Sequence, residues 1–208
     1  MCRRKYSLYK PIALLCLFLL FTPLFLSAQN EALARKVMDR ALALVEHPGG
    51  AKLDYEIKVT RLYTQRGTTW YKGNKSLLKA KKSTLWFDGK TVWSYNHKAS
   101  EVTISNAKQA NRRGLSEMFS YTRRAQLSLS EEPTMYRIRI TSSDRNAPAH
   151  EAIALIDKKT FHPVQLRMRK SVVWITINIA NFEIGNWPDD MFQFNPKKYP
   201  KLKVIDKR

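Results

Sequence analysis

The sequence predicts an α+β fold that is mainly β: one antiparallel sheet of about ten strands with an N-terminal helix and a short mid-chain helical segment. Three observations carry this. Apolar residues recur every three to four positions over residues 30–46, and again weakly over 106–121. From Leu53 onward the period is otherwise two, in short runs separated by Gly, Asn, Asp and Pro turn signals. Consecutive strands joined by turns this short pair antiparallel. With 208 residues, 44 % of them apolar and 26 % charged, the chain has ordinary globular usage and length for one domain.

The elements follow in order. Arg3, Arg4, Lys5 and Lys10 precede an apolar run from Ile12 to Leu26, and Ser27-Ala28-Gln29 supplies small residues suited to cleavage. A charged start, a short apolar run and a small-residue exit make residues 1–29 a signal peptide, leaving 30–208 as a single domain. The run is shorter than the ~20 residues that span a bilayer comfortably. Bulky Leu15 before Cys16 argues against a lipidated cysteine.

Asn30 is a candidate N-cap for a helix through Glu46, with Leu33, Val37, Ala41 and Leu44 or Val45 as its apolar stripe. His47-Pro48-Gly49-Gly50 breaks it. Leu53, Tyr55, Ile57 and Val59 then alternate with Asp54, Glu56, Lys58 and Thr60, as in a half-buried strand. Strands 68–72 and 75–79 flank Gly73-Asn74. Strands 84–87 and 91–95 flank Asp88-Gly89, read as a type I′ hairpin turn, and 101–105 is a further strand.

Leu115, Met118 and Phe119 share one face of the short mid-chain helix. Strands resume at 125–129, 136–140, 151–157, 163–169 and 172–182. Trp187-Pro188-Asp189-Asp190 begins a turn or a single helical turn.

Cysteine and charge exclude whole function classes. Cys2 and Cys16 are the only cysteines and both lie in the leader, so the domain has no disulfide, thiolate nucleophile or Cys metal site. Lys and Arg number 37 against 17 acids, for +20; without the leader's four bases the domain carries +16. Such a surface attracts polyanions or anionic headgroups. His47, His97, His150 and His162 show no metal-ligand spacing, and no P-loop, GxGxxG or GxSxG is present. Glu131-Glu132 and Asp189-Asp190 sit in turns, where neighbouring carboxylates are usually solvated.

The basic pairs Arg137/Arg139, Arg167/Arg169 and Lys79/Lys81 repeat at i, i+2, so each pair faces away from the apolar side of its strand. They read either as a solvated outer face or as a cationic docking face. Nucleic acid would need stacking aromatics on that same face, and the aromatics alternate with the bases instead. Trp70, Trp86, Phe87, Trp93 and Tyr95 cluster over successive strands. Periodicity leaves open whether they are ordinary core or the wall of a cavity in a curved sheet.

Together these residues resemble the LolA-like periplasmic carriers of outer-membrane lipoproteins. The resemblance rests on the N-terminal helix, on Trp86-Phe87-Asp88-Gly89-Lys90-Thr91-Val92-Trp93-Ser94-Tyr95, on Ile156-Asp157-Lys158-Lys159-Thr160, and on Phe192-Gln193-Phe194-Asn195-Pro196 with Val204-Ile205-Asp206. It implies an open, strongly curved half-barrel sheet covered by the N-terminal helix and a mid-chain helical lid, enclosing an apolar cavity for acyl chains. The lipid-binding cavity is expected to draw on Trp70, Lys72, Leu78, Trp86, Trp93, Tyr95, Leu115, Met118, Phe119 and Ile138. Lys72 stands where the family carries an arginine. In the empty state Leu115, Met118 and Phe119 are expected to close against Trp70, Trp86 and Trp93.

The implied function is a periplasmic carrier that binds lipoprotein acyl chains and delivers them toward the outer membrane. Its implied partners are acylated lipoproteins, an inner-membrane lipoprotein transporter and an outer-membrane receptor. It implies a monomer with no enzyme activity, cofactor, metal or nucleic acid. The alternatives that stay open are a lipid- or lipoprotein-sensing regulatory domain on the same fold, a secreted hydrolase and a secreted polyanion-binding module.

Overall fold

The computed structural model describes residues 29–208, except 61, 109–121, 145, 146 and 148. The leader expected over residues 1–29 thus lies outside the described residues up to 28, as do Leu115, Met118 and Phe119. Among the described residues no helix is long and apolar enough to cross a membrane.

The helix α1 spans residues 29–45. Among the described residues twelve strands follow: β1 Ala51–Val59, β2 Tyr63–Lys72, β3 Lys75–Ala80, β4 Ser83–Phe87, β5 Thr91–Asn96, β6 Glu101–Asn106, β7 Gln126–Glu131, β8 Met135–Thr141, β9 Glu151–Asp157, β10 Pro163–Lys170, β11 Val173–Ile184 and β12 Lys203–Asp206. They form one open sheet in the order β12-β6-β5-β4-β3-β2-β1-β11-β10-β9-β8-β7. Every pairing is antiparallel except β12 with β6. The result is a mainly β, α+β half-barrel whose two edge strands do not meet. The short β12 is a strand that the alternation pattern did not disclose.

Local irregularities help bend this sheet. The register between β1 and β11 slips between Lys52 and Asp54, near Asn181, which has φ of 50°. A second slip lies between Pro163 and Gln165 on β10. An extra residue on one strand of a pair bends that strand and increases its twist. Asn181 is held there by its Nδ2, which donates to Asp54 Oδ2 at 2.8 Å.

The β4–β5 turn differs in type from the sequence reading. Asp88 N donates to Thr91 O at 3.3 Å, so the central residues are Gly89 and Lys90, and only Gly89 has positive φ, at 98°. A I′ turn needs positive φ at both central residues, so this turn is not I′. The Asp88 carboxylate takes the place of a backbone acceptor, accepting from Lys90 N and Thr91 N at 2.9 and 2.7 Å.

Alternation gives the sheet two faces with different covers. On the helix face, α1 lays Ala34, Val37, Met38, Ala41 and Leu42 against Leu127, Ile138, Ile140, Ala152 and Ile156. Val37, Ala41 and Val45 of the expected stripe are buried, with Ala34, Met38 and Leu42 beside them, while Leu33 is left 41 % exposed. On the opposite face, the C-terminal segment covers β2 to β6. Two single-turn 3-10 helices, Asp189–Phe192 and Pro196–Lys198, bring Phe192 and Phe194 onto Leu77, Trp86 and Val102.

α1 is fastened at both ends. Asn30 lies inside the helix rather than capping it, and its carboxamide pairs with the backbone of edge strand β7. Asn30 Nδ2 donates to Leu129 O and Leu129 N donates to Asn30 Oδ1, both at 2.7 Å. At the other end Gly185 N donates to Gly50 O and Trp187 N to Gly49 O. Gly50 has φ of 91°, and a Cβ there would lie 2.4 Å from Tyr71 O, so only glycine fits.

Candidate functional site: a cavity between the helix and the sheet

Under the C-terminal half of α1 the packing is incomplete. A cavity of about 290 Å³ lies between Met38, Leu42 and Val45 of the helix and the middle strands of the sheet. Its floor is laid by Leu53, Tyr55 and Ile57 of β1, Leu166 of β10, and Ile177 and Ile179 of β11. These side chains share a face because their strands pair in register: Ile57 opposes Ile177, Tyr55 opposes Ile179, and Leu166 opposes Ile177. Ile57, Ile177 and Ile179 are only partly buried although they pack against the core. Apolar side chains facing empty space give the cavity an apolar wall, as in most small-ligand pockets.

Three polar members of the wall sit together. Asn74, Lys75 and Ser76 come from the β2–β3 turn and the start of β3. Beside them Tyr71, 4 % exposed, has a hydroxyl with no hydrogen-bond partner. Burial raises the Tyr71 phenol well above its ordinary pKa, so it stays protonated. Tyr55, also on the wall, is raised by burial too, and its hydroxyl takes a hydrogen bond from Gln65 Nε2 at 3.3 Å.

Of the residues expected to line a cavity, Leu78 does so. Ile138 is fully buried under α1, away from the lining. Trp70, Trp86, Trp93 and Tyr95 lie on the opposite face, packed with Phe192, Phe194 and Tyr199 of the C-terminal segment. The Trp86 ring meets Phe194 and Tyr199 edge-on, with centroids 5.4 and 5.9 Å apart. The C-terminal segment packs on Trp70, Trp86 and Trp93, and the residues expected to close against them, Leu115, Met118 and Phe119, lie outside the described residues. Parity puts the tryptophans on that face, since Trp70, Leu77, Trp86 and Trp93 form one cross-strand row while Tyr71 and Leu78 point the other way.

Lys72 also belongs to the tail. Its Nζ donates to Trp187 O at 2.9 Å and meets Asp189 at 3.0 Å, while Lys75 Nζ reaches the other Asp189 oxygen at 2.6 Å. Hydrogen bonds from Lys75 and then Lys72 hold the Asp189 carboxyl below its ordinary pKa. The carboxylate read as a solvated turn residue therefore pins the start of the C-terminal segment to the β2–β3 hairpin.

On the strands, Arg137/Arg139, Arg167/Arg169 and Lys79 face away from α1 and are engaged, while Lys81 lies past the end of β3. Arg137 pairs with Glu132, Arg139 and Arg169 with Glu151, Arg167 lies over Trp174 at 4.8 Å, and Lys79 lies over Trp70 at 5.3 Å. The histidines are scattered: His97 contacts Thr84 Oγ1 and Lys81 O, His162 packs on Phe182, and His47 Nδ1 accepts from Gly49 N. Among the described residues no group of three His, Cys, Asp or Glu side chains is placed to hold a metal ion.

The sequence reading missed the wall supplied by α1, β1, β10 and β11. Its one available signal was the run Ile175, Ile177, Ile179, aligned with Leu53, Tyr55 and Ile57. That run reads equally well as ordinary core.

Comparison with known structures shows the same fold at low identity. An uncharacterized conserved protein from Thermus thermophilus superposes with TM-score 0.57 at 12 % identity, covering 84 % of this chain and 99 % of that one. MucB superposes with TM-score 0.53 at 13 % identity, covering 84 % of this chain and 66 % of that one. A LolA superfamily protein from Nitrosomonas europaea reaches TM-score 0.42 at 10 % identity, over 77 % and 97 % of the two chains. Comparison with curated proteins finds no match. The family model described as outer membrane lipoprotein carrier protein LolA matches residues 24–172, most of the chain, and this protein belongs to that family.

Proposed function

We propose that this protein is a periplasmic carrier that takes the acyl chains of a lipoprotein into the cavity beneath α1 and delivers them toward the outer membrane. The observation that carries this reading is the partly empty, almost wholly apolar space between Met38, Leu42 and Val45 and the β1/β11 isoleucines. The work is binding and release, with no bond made or broken. An inner-membrane transporter would load the cargo and an outer-membrane receptor would accept it. A leader over residues 1–29 would direct export, and a monomeric 30–208 domain would shuttle.

Magnitudes favour a carrier that opens. A triacylated protein presents on the order of 45 methylenes, at about 0.8 kcal/mol each when buried. Complete burial would thus release roughly 35 kcal/mol, beyond the practical ceiling of about 20. The cavity, at about 290 Å³, is at the foot of the ~300–1,000 Å³ range of small-ligand pockets. Admitting more than part of the cargo requires the helix to part from the sheet, and that work offsets affinity and permits hand-over. The ion-paired outer face gives little support to a module acting through cations alone.

Native mass spectrometry of the purified protein with a triacylated lipopeptide and its deacylated form tests the reading. A one-to-one complex with the acylated form alone is expected. No complex, or equal capture of both peptides, would overturn it.

A further inference from the structure

The Tyr71 hydroxyl is buried beside a cavity that otherwise spends its polar groups. On the wall, Thr69 Oγ1 donates to Leu77 O at 3.2 Å, and Gln165 Nε2 donates to Asn178 Oδ1 at 2.8 Å. Lys75 is held by Asp189 and Asn74 reaches Gly89 O. Tyr71 alone among the described wall residues keeps a buried hydroxyl without a partner. Buried polar groups are normally satisfied, and one that is not needs a reason.

Its position supplies one. Tyr71 opposes Ser76 across the β2–β3 hairpin, beside Asn74 and Lys75, on the wall of an otherwise almost wholly apolar space. An acyl chain likewise carries its polar group at one place on a hydrocarbon body. A carbonyl oxygen accepts and cannot donate, so it complements a protonated phenol. The hydroxyl is covered by its surroundings, and an incoming chain that widens the space reaches it.

We propose that Tyr71 is the polar anchor of this site: it donates a hydrogen bond to the carbonyl oxygen at the head of a bound acyl chain, selecting acyl esters and amides over plain hydrocarbon. This rests on the cavity being the acyl-chain site. The phenylalanine ring of Tyr71→Phe keeps the wall and removes only the donor.

The test is a competition titration against a cavity-bound fluorophore, using methyl palmitate and octadecane, which has no acceptor, on wild-type and Tyr71→Phe protein. The ester-to-octadecane affinity ratio should be about tenfold higher in wild type than in Tyr71→Phe, the scale of one buried hydrogen bond. The carbonyl stretch of ¹³C-labelled ester should move to lower frequency in wild type and not in the variant. Equal ester-to-octadecane ratios in the two proteins, with both probes bound, would overturn the anchor and leave the cavity reading standing. Failure of wild type to bind either probe would remove both. Tyr71→Phe should melt no lower than wild type, since it loses an unsatisfied group.

Discussion

Truncating Phe192 to alanine asks whether the two faces of the sheet are separate compartments. Phe192 is fully buried, wedged among Leu77, Trp86, Val102 and Phe194 on the tail face. Removing a ring from such a site costs about 3–5 kcal/mol, transfer and cavity terms together. For a domain of this size each kcal/mol lowers Tm by about 2–4 °C, so a fall of roughly 6–20 °C is expected. Thermal unfolding followed by far-UV circular dichroism measures it. At 25 °C the folded variant should keep its affinity for a fluorescent acyl probe within twofold, because the cavity wall stands on the other face. Ile177→Ala should do the reverse. Ile177 is only partly buried, so its truncation should cost less than the ~2–5 kcal/mol of a fully buried isoleucine while weakening probe binding. A tenfold loss of affinity in folded Phe192→Ala, with Ile177→Ala binding normally, would refute the assignment of faces.

Three further outcomes are expected. Asn30→Ala should destabilise by about 1–3 kcal/mol in urea unfolding, since it removes two hydrogen bonds to Leu129 and bares the β7 edge. Gly67→Ala should cost about 1–3 kcal/mol by the same assay, because the new Cβ would lie 2.3 Å from Lys79 O and 2.6 Å from the Tyr55 hydroxyl. Glu56 is held at about 2, against an ordinary 4.5, by hydrogen bonds from Lys58, Asn178 and Arg66, and Asp189 is lowered likewise. Both folded values lie below the unfolded ones, so their stabilisation is full above the unfolded pKa and is lost as pH falls through the folded one. The urea midpoint should therefore drop between pH 4.5 and 2, and less steeply in Glu56→Gln.

What the sequence discloses and what it withholds divide along one physical line. Strand positions were legible because alternation and turn residues are local: the runs around Leu53, Trp86, Ile138 and Ile153 each became strands. β12 was not, because Lys203 to Asp206 has no alternating pattern of its own and is strand only by lying parallel to β6. Leu33 was misplaced for the same kind of reason: a stripe read from spacing fixes a helix face to within one residue, and the sheet selects the final rotation.

The site was the least legible part, since a cavity is a failure of packing, and packing is a relation between distant residues. Trp86 and Phe87 show the difficulty in two adjacent positions. They are 6 % and 3 % exposed on opposite faces, so size and burial alone mark neither as the ligand side. The decision comes from what covers each face. The aromatic row is capped by Phe192 and Phe194, which arrive far later in the chain and fill it. The isoleucines of β1 and β11 lie beneath α1, which touches the sheet closely through Ala34, Val37 and Ala41 near β8 and β9 but leaves a gap over β1 and β11. On one face the row of Trp70, Trp86 and Trp93 is closed over by the C-terminal segment, and on the other the isoleucines of β1 and β11 are left partly uncovered.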